Sequence, residues 1–164
     1  METKPTFEQA QLHLQVYEQR REERLRKARD WFFQNYWAET FEEGMKITAP
    51  GTEGGTNFMM VVSYWEQACA LLDYGLLHDD LFFETSGEFF GVFEAIRPGL
   101  QQGRDMWKNQ YFLVHMENAA KRFEAWSEKR SICSRPMFPQ ASRSRGDCAP
   151  GRRRSWAMRR RSTR

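Results

Sequence analysis

Apolar side chains recur at helical spacing in four segments of the first 130 residues. The first segment, residues 7–43, contains neither Gly nor Pro, which predicts one long helix or two nearly continuous helices. Thr6 is the expected N-cap. We expect the C-terminal half of this segment to be the half that packs. The predicted packing stripe consists of Phe7, Leu14, Leu25, Ala28 and Phe32, widened by Trp31, Tyr36 and Trp37.

The second segment follows a stretch of loop composition. Residues 44–55 are rich in Gly, Thr and Pro, which predicts the main loop of the protein. Our first interpretation of this loop is a linker, and the alternative is a mobile or partner-binding loop. Thr56 or Asn57 is the expected N-cap of the next helix, and Gly75 is its expected terminator. Apolar residues cover nearly the whole circumference of this helix, so we expect it at the centre of the fold.

The third segment predicts a helix from Asp80 to Ile96 in which phenylalanine dominates the apolar face. The pair Arg97 and Pro98 is expected to stop this helix, because proline disfavours a helical residue before it. Gly87 and Gly91 lie one turn apart and form a notch of small residues. Another helix could approach closely at this notch.

The fourth segment has the clearest periodicity in the chain. It predicts a helix from about Met106 to Arg130, in which apolar residues repeat at 4-3-4-3 spacing: Phe112, Met116, Ala119, Phe123 and Trp126. Strand-like alternation never extends beyond a few residues, and the sequence has no Asn-Gly or Asp-Gly hairpin turn. These patterns predict an all-α fold, an antiparallel bundle of about four helices with a long N-terminal helix.

The composition changes near Ser131 and divides the chain into two parts. Residues 1–130 carry 15 Lys and Arg against 21 Asp and Glu, whereas residues 131–164 carry 10 Arg, no Lys and one acidic residue. We predict a helical domain over residues 1–130 and a disordered basic tail over residues 131–164. The Arg, Ser, Pro and Gly content of the tail is what a shifted reading frame of a GC-rich gene would produce, and this is our first interpretation of it.

The arginines of the tail carry an alternative functional hypothesis. Two Arg triplets flank Trp156, a spacing that suits neutralisation of phosphates together with stacking of one base. The residues that would contact phosphate are Arg152, Arg153, Arg154, Arg159, Arg160 and Arg161. The alternative is therefore a nucleic-acid-binding protein that uses its tail.

Signatures of catalysis, metal binding and cofactor binding are missing from the sequence. It has no Gly-x-Ser-x-Gly elbow, phosphate loop or dinucleotide fingerprint, and none of its three His residues follows a Glu at the spacing of a di-iron bundle. Cys69 lies in an apolar run and is expected to be buried, and the other two cysteines are in the tail. We therefore predict no catalytic residue, no metal and no cofactor.

Three residues are the candidates for a binding site. Glu66 falls in the buried half of the predicted central helix, so its carboxylate is expected to have a partner such as Arg24 or Arg29. His115 is expected to be a hydrogen-bonded structural residue at the edge of the bundle. A second alternative function is a small-ligand binder or enzyme with a pocket between helices two to four, around Tyr64, Glu66 and His115.

Several segments together resemble a known family. They are the arginine-rich first helix with its aromatic end, the central helix, and the Gly-Leu-Leu turn after it, at residues 17–21, 28–32, 61–72 and 74–77. Over about residues 7–126 the chain resembles a bacterial family of small helical proteins known only as a domain of unknown function. The positions that match the family outline are Tyr64, Glu66, Gly75, Leu76, Leu77 and Pro98. The resemblance implies a helical fold and no activity, and the tail departs from it.

The sequence also gives expectations about location and partners. Its N-terminal residues lack the apolar core of a secretory signal, and its most apolar stretches, 58–77 and 81–96, contain carboxylates. We therefore predict a cytoplasmic protein without membrane insertion. Four helices cannot readily bury all of its Trp and Phe, so the leading hypothesis is a non-enzymatic interaction module. It would form a homo-oligomer, or bind a protein partner, through the Gly87/Gly91 face or the aromatic end of the first helix.

Overall fold

The computed structural model describes residues 4–133, and every regular element in them is a helix. The all-α prediction is confirmed, but the expected four helices are divided into seven. All four predicted segments are broken or shifted, for reasons given below. The helices are α1 (Phe7–Arg20), α2 (Glu23–Asn35), α3 (Phe41–Ile47), α4 (Glu53–Asp73), α5 (Asp79–Thr85), α6 (Glu88–Met106) and α7 (Val114–Cys133).

Side-chain caps divide the first segment into α1, α2 and α3. Thr6 and Gln9 form a reciprocal capping box at the start of α1, which confirms the predicted N-cap. The carboxylate of Glu22 then accepts a hydrogen bond from the backbone N–H of Leu25 at 2.8 Å, and Thr40 caps α3 in the same way. Each cap satisfies backbone donors that a continuous helix would have satisfied with its own carbonyls.

The packing stripe of the first segment is confirmed only in its second half. Leu25, Ala28 and Phe32 are buried, whereas Phe7 and Leu14 are 76% and 63% exposed. The stripe therefore changes sides between α1 and α2, because the break at Glu22 reorients one helix relative to the other. The aromatic end is mixed: Tyr36 is buried and Trp37 is exposed.

Helix α4 begins earlier than the sequence pattern predicted, with Thr52 as its N-cap. Gly54 and Gly55 lie in its first turn, and a Cβ at either position would meet a backbone carbonyl oxygen at 2.5 Å. These glycines allow residues 47–49 to pass close to the helix, so part of the predicted loop is helical. Gly75, with φ +71°, ends the helix as predicted.

The third and fourth segments also differ from their predictions. A break after Thr85 separates α5 from α6, and α6 continues through Pro98 to Met106 instead of ending at Ile96. Glu94 and Pro98 are both exposed, so water can satisfy the carbonyl that proline leaves without a donor. Helix α7 consequently begins at Val114 rather than near residue 106.

The glycine notch that contacts another element is not the predicted one. A Cβ at Gly87 or Gly91 would meet no atom within 4 Å. At Gly99 and Gly103, in contrast, a Cβ would lie 3.1 to 3.2 Å from atoms of Phe41, at the start of α3. This second pair of glycines, one turn apart, is what lets α3 pack against α6.

Helix α4 is at the centre, as its apolar circumference predicted. It packs against α2 and α7, and nine of its residues are buried, among them Trp65 at 1% exposure. An aromatic cluster joins α5, α6 and α7 beside it and consists of Phe82, Phe83, Phe89, Phe90, Phe123 and Trp126. None of the described helices is long and apolar enough to cross a bilayer.

Candidate functional site

The structure separates the three predicted site residues into two clusters. Tyr64 and Glu66 are two positions apart on α4 and therefore lie on different sides of that helix. Glu66 meets His115 at the start of α7, whereas Tyr64 faces α1. The three residues do not share one pocket.

Glu66 caps helix α7 from a different part of the chain. Its two carboxylate oxygens accept hydrogen bonds from the backbone N–H groups of His115 at 3.0 Å and Met116 at 2.8 Å. These N–H groups lack partners within α7, and the positive end of the helix dipole further stabilises the carboxylate. The expected pairing of Glu66 with Arg24 or Arg29 is therefore wrong. Its partners are backbone groups, which a search for opposite charges in the sequence does not find.

Asp73, two turns after Glu66 on α4, extends this cluster. Its carboxylate accepts hydrogen bonds from His115 Nδ1 at 2.9 Å, Asn118 at 3.1 Å and Arg122 at 3.2 Å. Arg122 also pairs with Asp79, at the start of α5. The cluster ties α4, α5 and α7 together, and the sequence patterns did not predict the roles of Asp73 and Arg122 in it.

His115 has the hydrogen-bonded environment expected of a structural histidine. A carboxylate that holds Nδ1 can also orient a catalytic imidazole. However, no hydrogen bond within the described residues joins this ring to a Ser, Thr or Cys side chain. The geometry thus orients an imidazole without supplying a nucleophile.

We expect Glu66→Ala to lower the free energy of unfolding by about 2 kcal/mol, because two backbone donors lose a charged acceptor. Urea unfolding followed by circular dichroism would measure this loss. The matched control is Glu53→Ala, since Glu53 is also on α4 but is exposed in its first turn. If both variants unfolded at the same urea concentration, Glu66 would not be the cap of α7.

The second cluster surrounds Glu88, at the start of α6. Its carboxylate pairs with Arg20 of α1 at 2.6 Å and with Arg29 of α2. Burial alone would raise the pKa of Glu88, but the hydrogen bond from Arg29 and the charges of both arginines outweigh burial and hold this pKa below its usual value. Arg20 and Glu88 are 68 positions apart, so no local pattern could have predicted their contact.

Tyr64 and Trp65 border the Glu88 cluster. The Tyr64 hydroxyl donates a hydrogen bond to the backbone carbonyl of Val16 at 2.9 Å, and burial raises the pKa of Tyr64 to about 12. The guanidinium of Arg20 lies 5.5 Å from the centre of the Trp65 ring. These contacts hold α1 against α4 and α6, and the tyrosine stays protonated at neutral pH.

The residues that match a known family include both clusters. Residues 5–123 match the family described as "Domain of unknown function (DUF4760)". The chain belongs to this family. It matches no curated protein and no solved structure. The DUF4760 match confirms the resemblance stated above, and residues 131–164 lie outside it.

Cavities within the DUF4760 region differ widely in volume. Two open grooves beside the first turns of α4, which share Thr56 and Met60 in their lining, have volumes of about 530 and 340 Å³. The cavity between α3 and α6 has a volume of about 30 Å³ and is lined mainly by apolar residues, among them Phe41, Phe58 and Trp107. That volume holds about one water molecule, whereas drug-sized ligands occupy about 300 to 1,000 Å³. Among the described residues, no group of three His, Cys, Asp or Glu side chains could hold a metal ion.

The outward face of α1, within the same DUF4760 region, carries a second kind of candidate site. Phe7, Ala10, Leu14 and Tyr17 follow one another at 3-4-3 spacing and therefore lie along one side of the helix. The three large members are 76%, 63% and 48% exposed. A different side of α1 faces the protein through His13 and Val16. We call this row of four residues, in which Ala10 is half-buried, the α1 stripe.

Proposed function

We propose that this protein is a self-association module, which binds a second copy of itself through the α1 stripe. The single observation that carries the proposal is the 3-4-3 spacing of four apolar residues, the three large ones exposed, on a helix that already packs against the protein through another side. Exposed apolar rows of this kind are typical of helix-to-helix interfaces. The role is non-enzymatic, and we place it in the bacterial cytoplasm on the sequence arguments given above.

The α1 stripe is self-complementary when two copies run antiparallel. A two-fold axis beside Leu12 brings Ala10 opposite Leu14 of the second copy, and Phe7 opposite its Tyr17. Each large leucine then faces a small alanine, and the aromatic residues pair at both ends. The antiparallel arrangement also places opposite ends of the two helix dipoles side by side.

Other arrangements and other surfaces have less support. A parallel pair would place Ala10 opposite Ala10 and leave a gap in the interface. The Gly87/Gly91 notch offers space for a helix but contributes no large side chain of its own. The arginines of the predicted nucleic-acid interface, Arg152 to Arg161, lie outside the described residues, so that alternative stays a prediction.

Leu14→Glu tests the proposal. We expect it to raise the dissociation constant of the dimer at least about thirtyfold, because each of two leucines loses about 1 kcal/mol of apolar burial. Sedimentation equilibrium over a range of protein concentrations would measure the change. Circular dichroism should show an unchanged helical content, since Leu14 is exposed in the single chain.

Met106→Glu is the matched control, because Met106 is 61% exposed and lies at the end of α6, away from the α1 stripe. The control is expected to dimerise like the unchanged protein. If the unchanged protein were a monomer at all concentrations, or if Met106→Glu dissociated the dimer and Leu14→Glu did not, the proposal would be wrong.

A further inference from the structure

The connection between α1 and α2 bends the chain at one residue. Only Arg21 and Glu22 separate the two helices. Arg21 keeps a helical conformation, with φ −85° and ψ −8°, whereas Glu22 is extended, with φ −55° and ψ 136°. Rotation of ψ at Glu22 alone would therefore join α1 and α2 into one continuous helix.

The local sequence favours that continuous helix. Residues 20–23 are Arg, Arg, Glu and Glu, which are good helix formers, and no Gly or Pro marks the bend. A straight helix would gain backbone hydrogen bonds for the N–H groups at the start of α2. The Glu22 carboxylate opposes straightening, because it accepts hydrogen bonds from backbone N–H groups at the start of α2. These hydrogen bonds, from Leu25 and Arg24, lower the pKa of Glu22.

Helix α1 is held less firmly than the other long helices. Only two of its fourteen residues, His13 and Val16, are buried, against nine in α4. Much of its attachment is polar, through the contacts of Val16 with Tyr64, His13 with Thr85 and Arg20 with Glu88. Two polar atoms at this contact, His13 Nδ1 and Trp65 Nε1, are buried without a hydrogen-bond partner among the described residues.

We propose that α1 exchanges between two copies of the protein. Each chain straightens at Glu22, and its α1 occupies the surface that α1 of the other chain has left. The contacts of Val16, His13 and Arg20 listed for one chain then form between chains, and the pair is closed by two-fold symmetry. This exchange goes beyond the proposed function, because it uses the inner face of α1 and not the α1 stripe.

Two substitutions at the bend act in opposite directions. Glu23→Pro places proline at the first position of α2, where its fixed φ suits the bent chain, and it forbids a continuous helix. The residue before it, Glu22, already has the extended conformation that a following proline requires. Glu22→Ala instead removes the cap that holds the bend, and it should favour the straight form by about fivefold per chain.

The experiment compares these substitutions in the Leu14→Glu background, so that association through the α1 stripe is already disabled. Both double variants are refolded from urea at high concentration and sized by gel filtration with light scattering. We expect Leu14→Glu/Glu22→Ala to form a dimer and Leu14→Glu/Glu23→Pro to be a monomer. Two monomers, or two dimers, would overturn the exchange. Glu23→Pro alone, in which exchange is blocked, tests the α1 stripe separately: it should dimerise through the stripe, and adding Leu14→Glu should dissociate it. Either proposal can therefore fail alone.

Discussion

Phe89→Ala is expected to lower the free energy of unfolding by about 4 kcal/mol, the value typical of a large aromatic residue removed from a packed core. Phe89 is completely buried. Its ring centre lies 5.4 Å from that of Phe82, 5.7 Å from that of Phe123 and 6.4 Å from that of Trp65. The substitution removes contacts with α4, α5 and α7 at once, and these rigid neighbours cannot readily close the cavity.

Urea unfolding followed by tryptophan fluorescence and by circular dichroism would measure this loss. Phe33→Ala is the control, because Phe33 is 42% exposed on α2 and should lose much less stability. Phe89→Leu fills part of the cavity and is expected to fall between the two. Equal losses for Phe89→Ala and Phe33→Ala would show that the aromatic cluster is not packed as described.

Glu88→Ala is expected to lower the free energy of unfolding by about 3 kcal/mol, because it leaves two largely buried arginines without their shared carboxylate. The side chains of Glu88, Arg20 and Arg29 are 14%, 21% and 18% exposed. This remaining exposure places the expected loss at the lower end for buried ion pairs. The pair also joins α1 and α2 to α6, so local fraying of α1 should increase.

Glu94→Ala is the control on the same helix, since Glu94 forms an exposed ion pair with Arg97 that adds little stability. Glu88→Gln keeps the size of the side chain and one acceptor, and should lose less than Glu88→Ala. Hydrogen exchange of α1 amides would show where the loss acts. A Glu88→Ala variant as stable as Glu94→Ala would contradict the interpretation of Glu88 as the anchor of both arginines.

The same carboxylate predicts a dependence of stability on pH. The pKa of Glu88 is lower in the folded protein than its usual value. Its contribution is therefore present above the unfolded-state pKa of about 4.3 and is lost as the pH falls through the lower folded-state pKa. Between about pH 5 and about pH 3, the unchanged protein should lose stability more steeply than Glu88→Ala. Parallel pH profiles would exclude this role for Glu88.

Local patterns predicted the features that depend on neighbours in the chain. The capping of α1 by Thr6 and the ending of α4 at Gly75 rest on backbone conformation and nearby side chains, and both are confirmed. The central place of α4 followed from its apolar circumference, because such a helix has no face for water. Burial of Cys69 followed for the same reason.

Patterns failed where the packing of another segment decides the outcome. Proline at residue 98 does not end α6. Glu94, whose carbonyl loses its donor, is exposed, so water can take the place of that donor, and the rest of the helix packs against α3 and α7. Gly54 and Gly55 have the composition of a loop, but residues 47–49 pass so close to them that only glycine fits in the helix. In both cases the outcome depends on how another segment packs against the helix, which composition does not specify.

For the candidate sites, too, some features follow from the sequence and others only from the tertiary structure. The sequence by itself determined that the body is helical, that Glu66 needs a partner, and that some apolar residues would remain exposed, because these follow from periodicity and from the free energy of burying charge. Only the tertiary structure decided that Glu66 caps α7, that Glu88 joins Arg20 to Arg29, and that the exposed apolar residues include the outer face of α1. These outcomes depend on contacts between residues about 50 to 70 positions apart. Helical periodicity specifies which face of a helix is apolar, but it does not specify which element covers that face.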